Sequence, residues 1–132
     1  MDKNEHMLGR KTRNLRTIKL LCFSVITISL HDMNKLLSYL EEWKISKTNI
    51  FESEGYKATI TKVLGDSKKA RYIDLDTEKL VSRATLWETG ELELEALDFQ
   101  SEKQVIQLSV ITVEIWELDD KLNWWLSEVA TY

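Results

Sequence analysis

The 132-residue chain contains no proline, four glycines and one cysteine, Cys22. A single cysteine excludes a disulfide framework and any metal site built from several cysteines. No glycine belongs to a G-x-G-x-x-G or G-x-x-x-x-G-K pattern, so the chain has no phosphate-binding loop of either type. Cys22 lies within an apolar run without a neighbouring base, which indicates a small packed side chain rather than a nucleophile.

Histidine is scarce as well, because His6 and His31 are the only two and both precede Met33. A domain that starts at Met33 therefore has no histidine-based triad, no histidine metal ligand and few acid–base options near neutral pH. With so many carboxylates, some pair will always lie at the distance that glycoside hydrolases use. Such a pair is therefore weak evidence for hydrolysis. Asp74 and Asp76 are interpreted as strand-end and turn residues. The sequence predicts a protein that is not an enzyme, with no catalytic residues, no cofactor and no metal.

The charge changes sign after residue 32: residues 1–32 carry a net charge of +3, whereas residues 33–132 carry −7. Basic residues precede the apolar run Leu20–Leu30, which is shorter than the ~20 residues that span a membrane. Three interpretations fit this front segment: a secretory signal, an element packed on the domain, or an extension upstream of a natural start at Met33. We favour the extension, because the composition changes at Met33 and the residues after it form a complete plan. Residues 1–32 are thus predicted to lie outside the core, and residues 33–132 to form one cytoplasmic domain without stable membrane insertion.

Apolar side chains at helical spacing mark both ends of that domain. The first stripe consists of Met33, Leu36, Leu37, Leu40 and Trp43. Asp32 stands where the N-cap would be, and the helix continues towards Gly55 either unbroken or with a break near residues 46–49. The second stripe consists of Leu118, Leu122, Trp125, Leu126 and Val129. It opens at Glu117, where acidic residues suit a helix N-terminus, and Trp124 is predicted to flank it.

Between the two helices the periodicity changes to two, which predicts strands. The five predicted strands are Tyr56–Val63, Ala70–Leu75, Leu80–Trp87, Glu91–Phe99 and Gln104–Val113. Short joints with turn residues favour an antiparallel meander, since parallel neighbours need long crossovers. The predicted fold is α+β, with an N-terminal helix, a five-stranded mostly antiparallel meander sheet and a C-terminal helix. Both helices are expected on one sheet face, which leaves the other face at least partly in water.

The hairpin of the third and fourth strands allows two registers. A two-residue loop would set Leu86 opposite Glu93 and mix apolar with acidic side chains on one face, which is unfavourable. A three-residue loop at residues 88–90 pairs Leu86 with Leu92 and sorts the acids onto the other face. It also places Gly90 at the left-handed position that such loops require. We therefore predict the three-residue loop.

This register gathers Trp87, Glu91, Glu93 and Glu95 on one strand face, with Arg83 opposite Glu95. Such a run of acids is usual for a solvated strand face that discourages aggregation, and a tryptophan there can pack under a loop. Tryptophan and arginine, however, are enriched among binding hot spots. A body with a net charge of −7 repels nucleic acid and anionic lipid and favours a basic protein surface. These five residues form the predicted partner-binding site.

Two segments resemble TriTu, a family of small bacterial immunity proteins. The first is Tyr72-Ile73-Asp74-Leu75-Asp76, and the second is Arg83-Ala84-Thr85-Leu86-Trp87-Glu88-Thr89-Gly90-Glu91-Leu92-Glu93-Leu94. The similarity covers about residues 33–129 and rests on the pattern Arg-x-Thr-x-Trp-Glu-x-Gly followed by an acidic–apolar alternation. Ser82 departs from the pattern, which often has a glycine before the arginine. The resemblance supports Met33 as the start of the domain.

The resemblance also implies a function. Proteins of this family bind and neutralise a cognate secreted toxin, here an ADP-ribosyltransferase that modifies elongation factor Tu and belongs to polymorphic toxins of type VI secretion. Inhibition by binding needs no cofactor. Two other functions are compatible with the residues. One is an exported acidic binding module, if Arg10–Leu30 acts as a signal. The other is a small ligand-binding or hydrolytic domain, which requires a closed pocket holding at least two acids.

Overall fold

The computed structural model describes residues 29–132, with side chains from Lys35 onward. Its elements are α1 (Ser29–Ser46), α2 (Thr48–Glu54), β1 (Lys57–Ile60), β2 (Ala70–Asp76), β3 (Leu80–Trp87), β4 (Glu91–Asp98), β5 (Gln104–Ile111) and α3 (Ile115–Thr131). Most of the front segment Arg10–Leu30 lies outside the described residues. The domain boundary at Met33 therefore stays a prediction.

The five strands form one antiparallel sheet in the order β1-β2-β3-β4-β5, with each strand beside its neighbour in sequence. Helix α1 packs against β1, β2 and β3, and α3 packs against β3, β4 and α1. The predicted α+β meander with both helices on one sheet face is confirmed. The core lies between the helical layer and the sheet, and no helix of residues 29–132 packs on the opposite sheet face, which we call the open face.

The first helical segment differs in two ways from the simplest expectation. Because α1 begins at Ser29, Asp32 lies inside the helix, and its prediction as the N-cap is wrong. The helix breaks at Lys47, one of the two alternatives. Gly55 ends α2 in the left-handed conformation, with φ of +75°. The Tyr56 amide then donates to the Phe51 carbonyl oxygen at 2.8 Å, which confirms Gly55 as the stop signal.

The C-terminal helix buries the predicted stripe. Leu118, Leu122, Trp125, Leu126 and Val129 are all buried. The helix starts at Ile115, earlier than predicted, because the Glu117 carboxylate accepts the backbone amides of Val113 (2.8 Å) and Glu114 (3.0 Å). A carboxylate at this position satisfies amides that have no partner within the helix. Trp124 flanks the buried stripe, as predicted.

Three aromatic side chains, one from each helix, pack together in the core. The ring centroid of Trp43 lies 6.2 Å from that of Phe51 and 6.2 Å from that of Trp125. The indole of Trp43 donates to Asn123 Oδ1 at 2.9 Å, and the indole of Trp125 donates to the Glu95 carbonyl oxygen at 3.3 Å. Both indole N–H groups thus have partners, as buried ones require.

A buried arginine, which the sequence patterns did not predict, links α1 to the sheet. Arg71 points to the helix side of β2 and donates to the Leu37 carbonyl oxygen (3.0 Å), the Thr61 carbonyl oxygen (3.0 Å) and Glu41 Oε1 (3.2 Å). Leaving a buried carbonyl without a donor costs about 1–3 kcal/mol. Arg71 therefore connects three chain segments at one point. The strict alternation in β2, which aims residue 71 inward, is the signal that could have found it.

The contact between α1 and α3 makes the stability of the protein depend on pH. Tyr39 donates a hydrogen bond from its hydroxyl to Asp119 Oδ1. Burial, this hydrogen bond and the negative charges of Asp119 and Glu42 raise the pKa of Tyr39 to about 12. Because the folded pKa exceeds the unfolded value of about 10, the contribution is complete below pH 10 and is lost between about pH 10 and pH 12.

We expect Tyr39→Phe to lower the free energy of unfolding by about 1–2 kcal/mol at pH 8, since one hydrogen bond to a carboxylate is lost. The gap between parent and variant should close as the pH rises towards 12. Urea unfolding of both proteins at intervals between pH 8 and pH 12 measures the gap. A gap that stays constant over this range would contradict the assignment to Tyr39.

Candidate functional site

The predicted binding residues come together on the open face of the sheet, opposite the helices. We call Arg83, Trp87, Glu91, Glu93 and Glu95 the acidic face. The predicted register of the β3–β4 hairpin is confirmed: Leu86 pairs with Leu92, Ala84 with Leu94, Thr85 with Glu93, and Arg83 with Glu95. The apolar pairs are buried against the core, so their polar neighbours point to the open face.

The loop of this hairpin is held by its glycine. Gly90 has φ of +93°, which confirms the predicted left-handed conformation, and its amide donates to the Trp87 carbonyl oxygen at 2.9 Å. The Gly90 carbonyl oxygen accepts two hydrogen bonds from Thr112, from the amide at 2.8 Å and from the hydroxyl at 2.9 Å. The loop is thus tied to the segment that follows β5. This contact fixes the end of the acidic face that carries Trp87 and Glu91.

The guanidinium of Arg83 is held by β2. Its Nε lies 2.7 Å from Asp74 Oδ1 and its Nη2 lies 3.1 Å from Asp74 Oδ2. Its Cζ lies 3.8 Å from the centroid of the Tyr72 ring. The hydrogen bond to Asp74 is the main cause that raises the pKa of Arg83. Arg83 is therefore opposite Glu95 in the strand register, but it forms its bidentate pair with Asp74.

Asp74 lies within β2 rather than at the strand end where the sequence predicts it. Asp74 pairs with Arg83 across the β2–β3 ladder. The alternation of Tyr72 and Asp74 with the buried Ile73 and Leu75 is the signal that places it on the open face. A carboxylate bound by both guanidinium nitrogens holds the arginine in one orientation. Tyr72 and Asp74 therefore belong to the neighbourhood of the acidic face.

A lysine from the β1–β2 connection covers Trp87. Lys68 Nζ lies 5.5 Å from the centroid of the Trp87 ring and 3.0 Å from Glu91 Oε1. Trp87 is half-buried, while the side chains of Lys68 and Glu91 are partly exposed. An ion pair in such a position contributes about 0–1 kcal/mol. Lys68 can therefore leave the indole at little cost when another surface approaches.

Glu93 does not lie on a solvated surface, contrary to the expectation for this strand. It is only 6% exposed, and its neighbours in the ladder are Thr85 on β3 and Ser109 on β5. Glu91 and Glu95 are half-buried. They are therefore the more exposed glutamates of the acidic face.

A cleft lies elsewhere in the described residues, between the ends of α2 and α3 and the β2–β3 turn. It has a volume of about 360 Å³ and is open to solvent. Its two glutamates, Glu54 and Glu78, are exposed. The cleft does not match the closed pocket with buried carboxylates that the hydrolytic alternative requires. Within residues 29–132, no three side chains of His, Cys, Asp and Glu come together as a metal site would need.

None of the helices within residues 29–132 is both long and apolar enough to cross a bilayer.

Comparison with protein families gives one match. The family model described as "Immunity protein TriTu" matches residues 38–128. The matched segment contains all five strands, most of both long helices and every residue of the acidic face. A comparison with curated proteins finds no match.

Proposed function

The chain belongs to the TriTu immunity protein family, and we propose that it protects a bacterial cell by binding a cognate toxin domain with the acidic face. The family match over residues 38–128 supports the immunity role. The composition of the acidic face supports its choice as the binding surface, since it combines carboxylates with an aromatic side chain on one sheet face. These groups suit a basic protein surface.

The identity of the toxin is the finer part of the proposal. The resemblance of the hairpin from Arg83 to Leu94 supports an ADP-ribosyltransferase that modifies elongation factor Tu, delivered as a polymorphic toxin by type VI secretion. Such a target lies in the cytoplasm, so we place this protein there as well. Inhibition by occupying the toxin needs no reaction of its own, which is why the proposal assigns no catalytic residue and no cofactor.

Two kinds of side chain on the acidic face contribute to binding in different ways. Glu91 and Glu95 attract a basic surface from a distance, since a net charge of −7 over residues 33–132 raises the rate of encounter with a positive partner. Trp87 then supplies apolar area once Lys68 has moved aside. Arg83 is already held by Asp74, so its position costs no further ordering on binding.

The immunity role predicts a toxin gene beside the gene for this chain, and the toxin domain encoded there is the one to use in the test. Purified toxin is incubated with elongation factor Tu and labelled NAD, and transfer of the label is measured as the full chain is added. We expect transfer of the label to stop when the chain is equimolar with the toxin, because each chain then occupies one toxin molecule. Cells that produce the toxin should survive when they also produce this chain.

Two results would contradict parts of the proposal separately. If the toxin modifies another substrate but the chain still inhibits it, the immunity role holds and the assignment to elongation factor Tu is wrong. If amounts of the chain well below one per toxin molecule already give complete inhibition, and the inhibition grows with incubation time, the protein acts as an enzyme. Inhibition by occupancy is then wrong.

A further inference from the structure

One cation on the open face shows how this surface holds a guanidinium tightly. Arg83 Cζ lies 3.8 Å from the centroid of the Tyr72 ring. Its Nε and Nη2 bind the two carboxylate oxygens of Asp74 at 2.7 and 3.1 Å. A guanidinium makes both contacts at once because it is flat enough to stack on a ring and its N–H groups match the two oxygens of a carboxylate. An aromatic ring beside a carboxylate is therefore a complete guanidinium site on this face.

Trp87 and Glu91 repeat this pair of groups at the β3–β4 loop, but their cation is a lysine. Lys68 Nζ lies 5.5 Å from the centroid of the Trp87 ring and 3.0 Å from Glu91 Oε1. An ammonium is a point charge that cannot stack on the ring or form two parallel hydrogen bonds to the carboxylate. The side chains of Lys68 and Glu91 are 46% and 35% exposed, so water weakens their ion pair. Lys68 is thus a weaker occupant than the guanidinium that this pair of groups suits.

The backbone around Lys68 is fixed, so only its side chain has to move. Leu64 and Ala70 exchange two backbone hydrogen bonds of 2.7 and 2.9 Å, which close the β1–β2 connection on both sides of Lys68. The Lys69 carbonyl oxygen accepts the Glu88 amide at 2.8 Å, which ties the connection to the β3–β4 loop. Because exposed side chains change rotamer within about ps–ns, the lysine can leave the ring without any opening of the fold.

We propose that Trp87 and Glu91 form a subsite for an arginine side chain of the toxin domain, and that Lys68 occupies this subsite in the free protein. The inference rests on the function proposed above and names the chemical group that the partner contributes. The partner's arginine stacks on the indole and binds the carboxylate, in the manner seen for Arg83. The net charge of −7 over residues 33–132 favours the approach of such a group. Since the arginine must displace the lysine, Lys68 lowers the affinity of the parent chain.

The experiment compares substitutions in the β1–β2 connection by surface plasmon resonance, with immobilised toxin domain at about 150 mM salt. Lys68→Ala empties the subsite and should lower the toxin Kd about fivefold, because the two exposed contacts of the lysine together favour the occupied state by about that factor. Lys68→Arg keeps the charge but supplies a stronger occupant, so it should raise the Kd about threefold or more. The matched control is Lys69→Ala, which removes the same charge from the neighbouring exposed residue and should change the Kd less than about twofold.

The opposite signs of the two Lys68 variants separate displacement from other roles of this lysine. If Lys68 contacted the toxin itself or stabilised the loop, Lys68→Ala would weaken binding. If Lys68→Ala binds no more tightly than Lys69→Ala, or if Lys68→Arg binds as tightly as the parent, the arginine subsite is wrong. The immunity role still holds in that case, provided that the parent chain binds and inhibits the toxin.

A titration without toxin tests the subsite separately. The probe is the peptide acetyl-Gly-Arg-Gly-amide, added to the isotope-labelled full chain and followed by NMR at the indole N–H of Trp87, which Trp87→Phe identifies. We expect the peptide to shift this resonance at an about fivefold lower concentration in Lys68→Ala than in the parent, and the matching lysine peptide to bind more weakly. A resonance that does not respond in Lys68→Ala overturns the subsite. If the peptides follow the expected order but the parent binds no toxin, the proposed function is wrong and the subsite serves another partner.

Discussion

Gly90→Ala is expected to lower the free energy of unfolding by about 3 kcal/mol or more, a large part of the about 5–15 kcal/mol that stabilises a domain. Two costs combine at this position. The φ of +93° disfavours any side chain with a Cβ. A Cβ there would also collide with the backbone carbonyl oxygen of Thr112, which is itself buried and cannot move without disturbing the end of β5.

The matched control is Gly55→Ala. Gly55 has φ of +75°, but a Cβ there would meet nothing within 4 Å. This variant therefore carries the conformational cost alone, about 1–2 kcal/mol. Urea unfolding of both variants and the parent separates the two costs. If Gly90→Ala and Gly55→Ala lose the same stability within about 0.5 kcal/mol, the close approach of Gly90 to Thr112 contributes nothing.

The second large effect is on toxin binding. Trp87→Ala should speed dissociation of the toxin complex about 30-fold, because truncation of a buried tryptophan anchor typically costs ~2 kcal/mol or more. The association rate should change little. Surface plasmon resonance with immobilised toxin domain measures both rates, and circular dichroism checks the fold. Trp116→Ala serves as the control, since Trp116 lies on α3, away from the acidic face, and is more exposed than Trp87.

Removing the acidic charges should change the association rate rather than the dissociation rate. Glu91→Gln combined with Glu95→Gln should slow association and flatten its dependence on salt, because charges at the surface act mainly on encounter. The control pair is Glu52→Gln with Glu54→Gln, which removes the same charge from the exposed side of α2. If the control pair slows association as much, net charge alone directs binding. If Trp87→Ala and the acidic pair both bind as the parent does, the toxin contacts another surface.

Much of the fold follows from local patterns. The stripe from Leu118 to Val129 predicts α3, and the change of period from 3.6 to 2 predicts the strands. The register of the β3–β4 hairpin is predictable because its partners are close in sequence, and only one alignment separates Leu86 and Leu92 from Glu93. The resemblance to the TriTu family, carried by the same hairpin, is confirmed by the family match. These features depend on residues that are near neighbours in the chain.

The sequence pattern also fails in identifiable places. Asp32 has the right chemistry for an N-cap, but α1 begins at Ser29. Asp74 stands close to turn residues and was assigned to a strand end, yet it binds Arg83 in mid-strand. Arg71 has no local signal of burial beyond the alternation of β2. For Arg71 a segment distant in sequence decides, because its partners Leu37 and Glu41 lie on α1.

Only the tertiary structure decides what the acidic face presents to a partner. The sequence places Glu91, Glu93 and Glu95 on one side of a strand, since alternation is a property of the strand itself. The exposure of each side chain differs along the same face: Glu93 is buried while Glu91 and Glu95 are half-buried, and Lys68, from the β1–β2 connection, covers Trp87. The side a residue faces is thus a local property of the chain, whereas its exposure and its charge partners depend on side chains that only folding brings near.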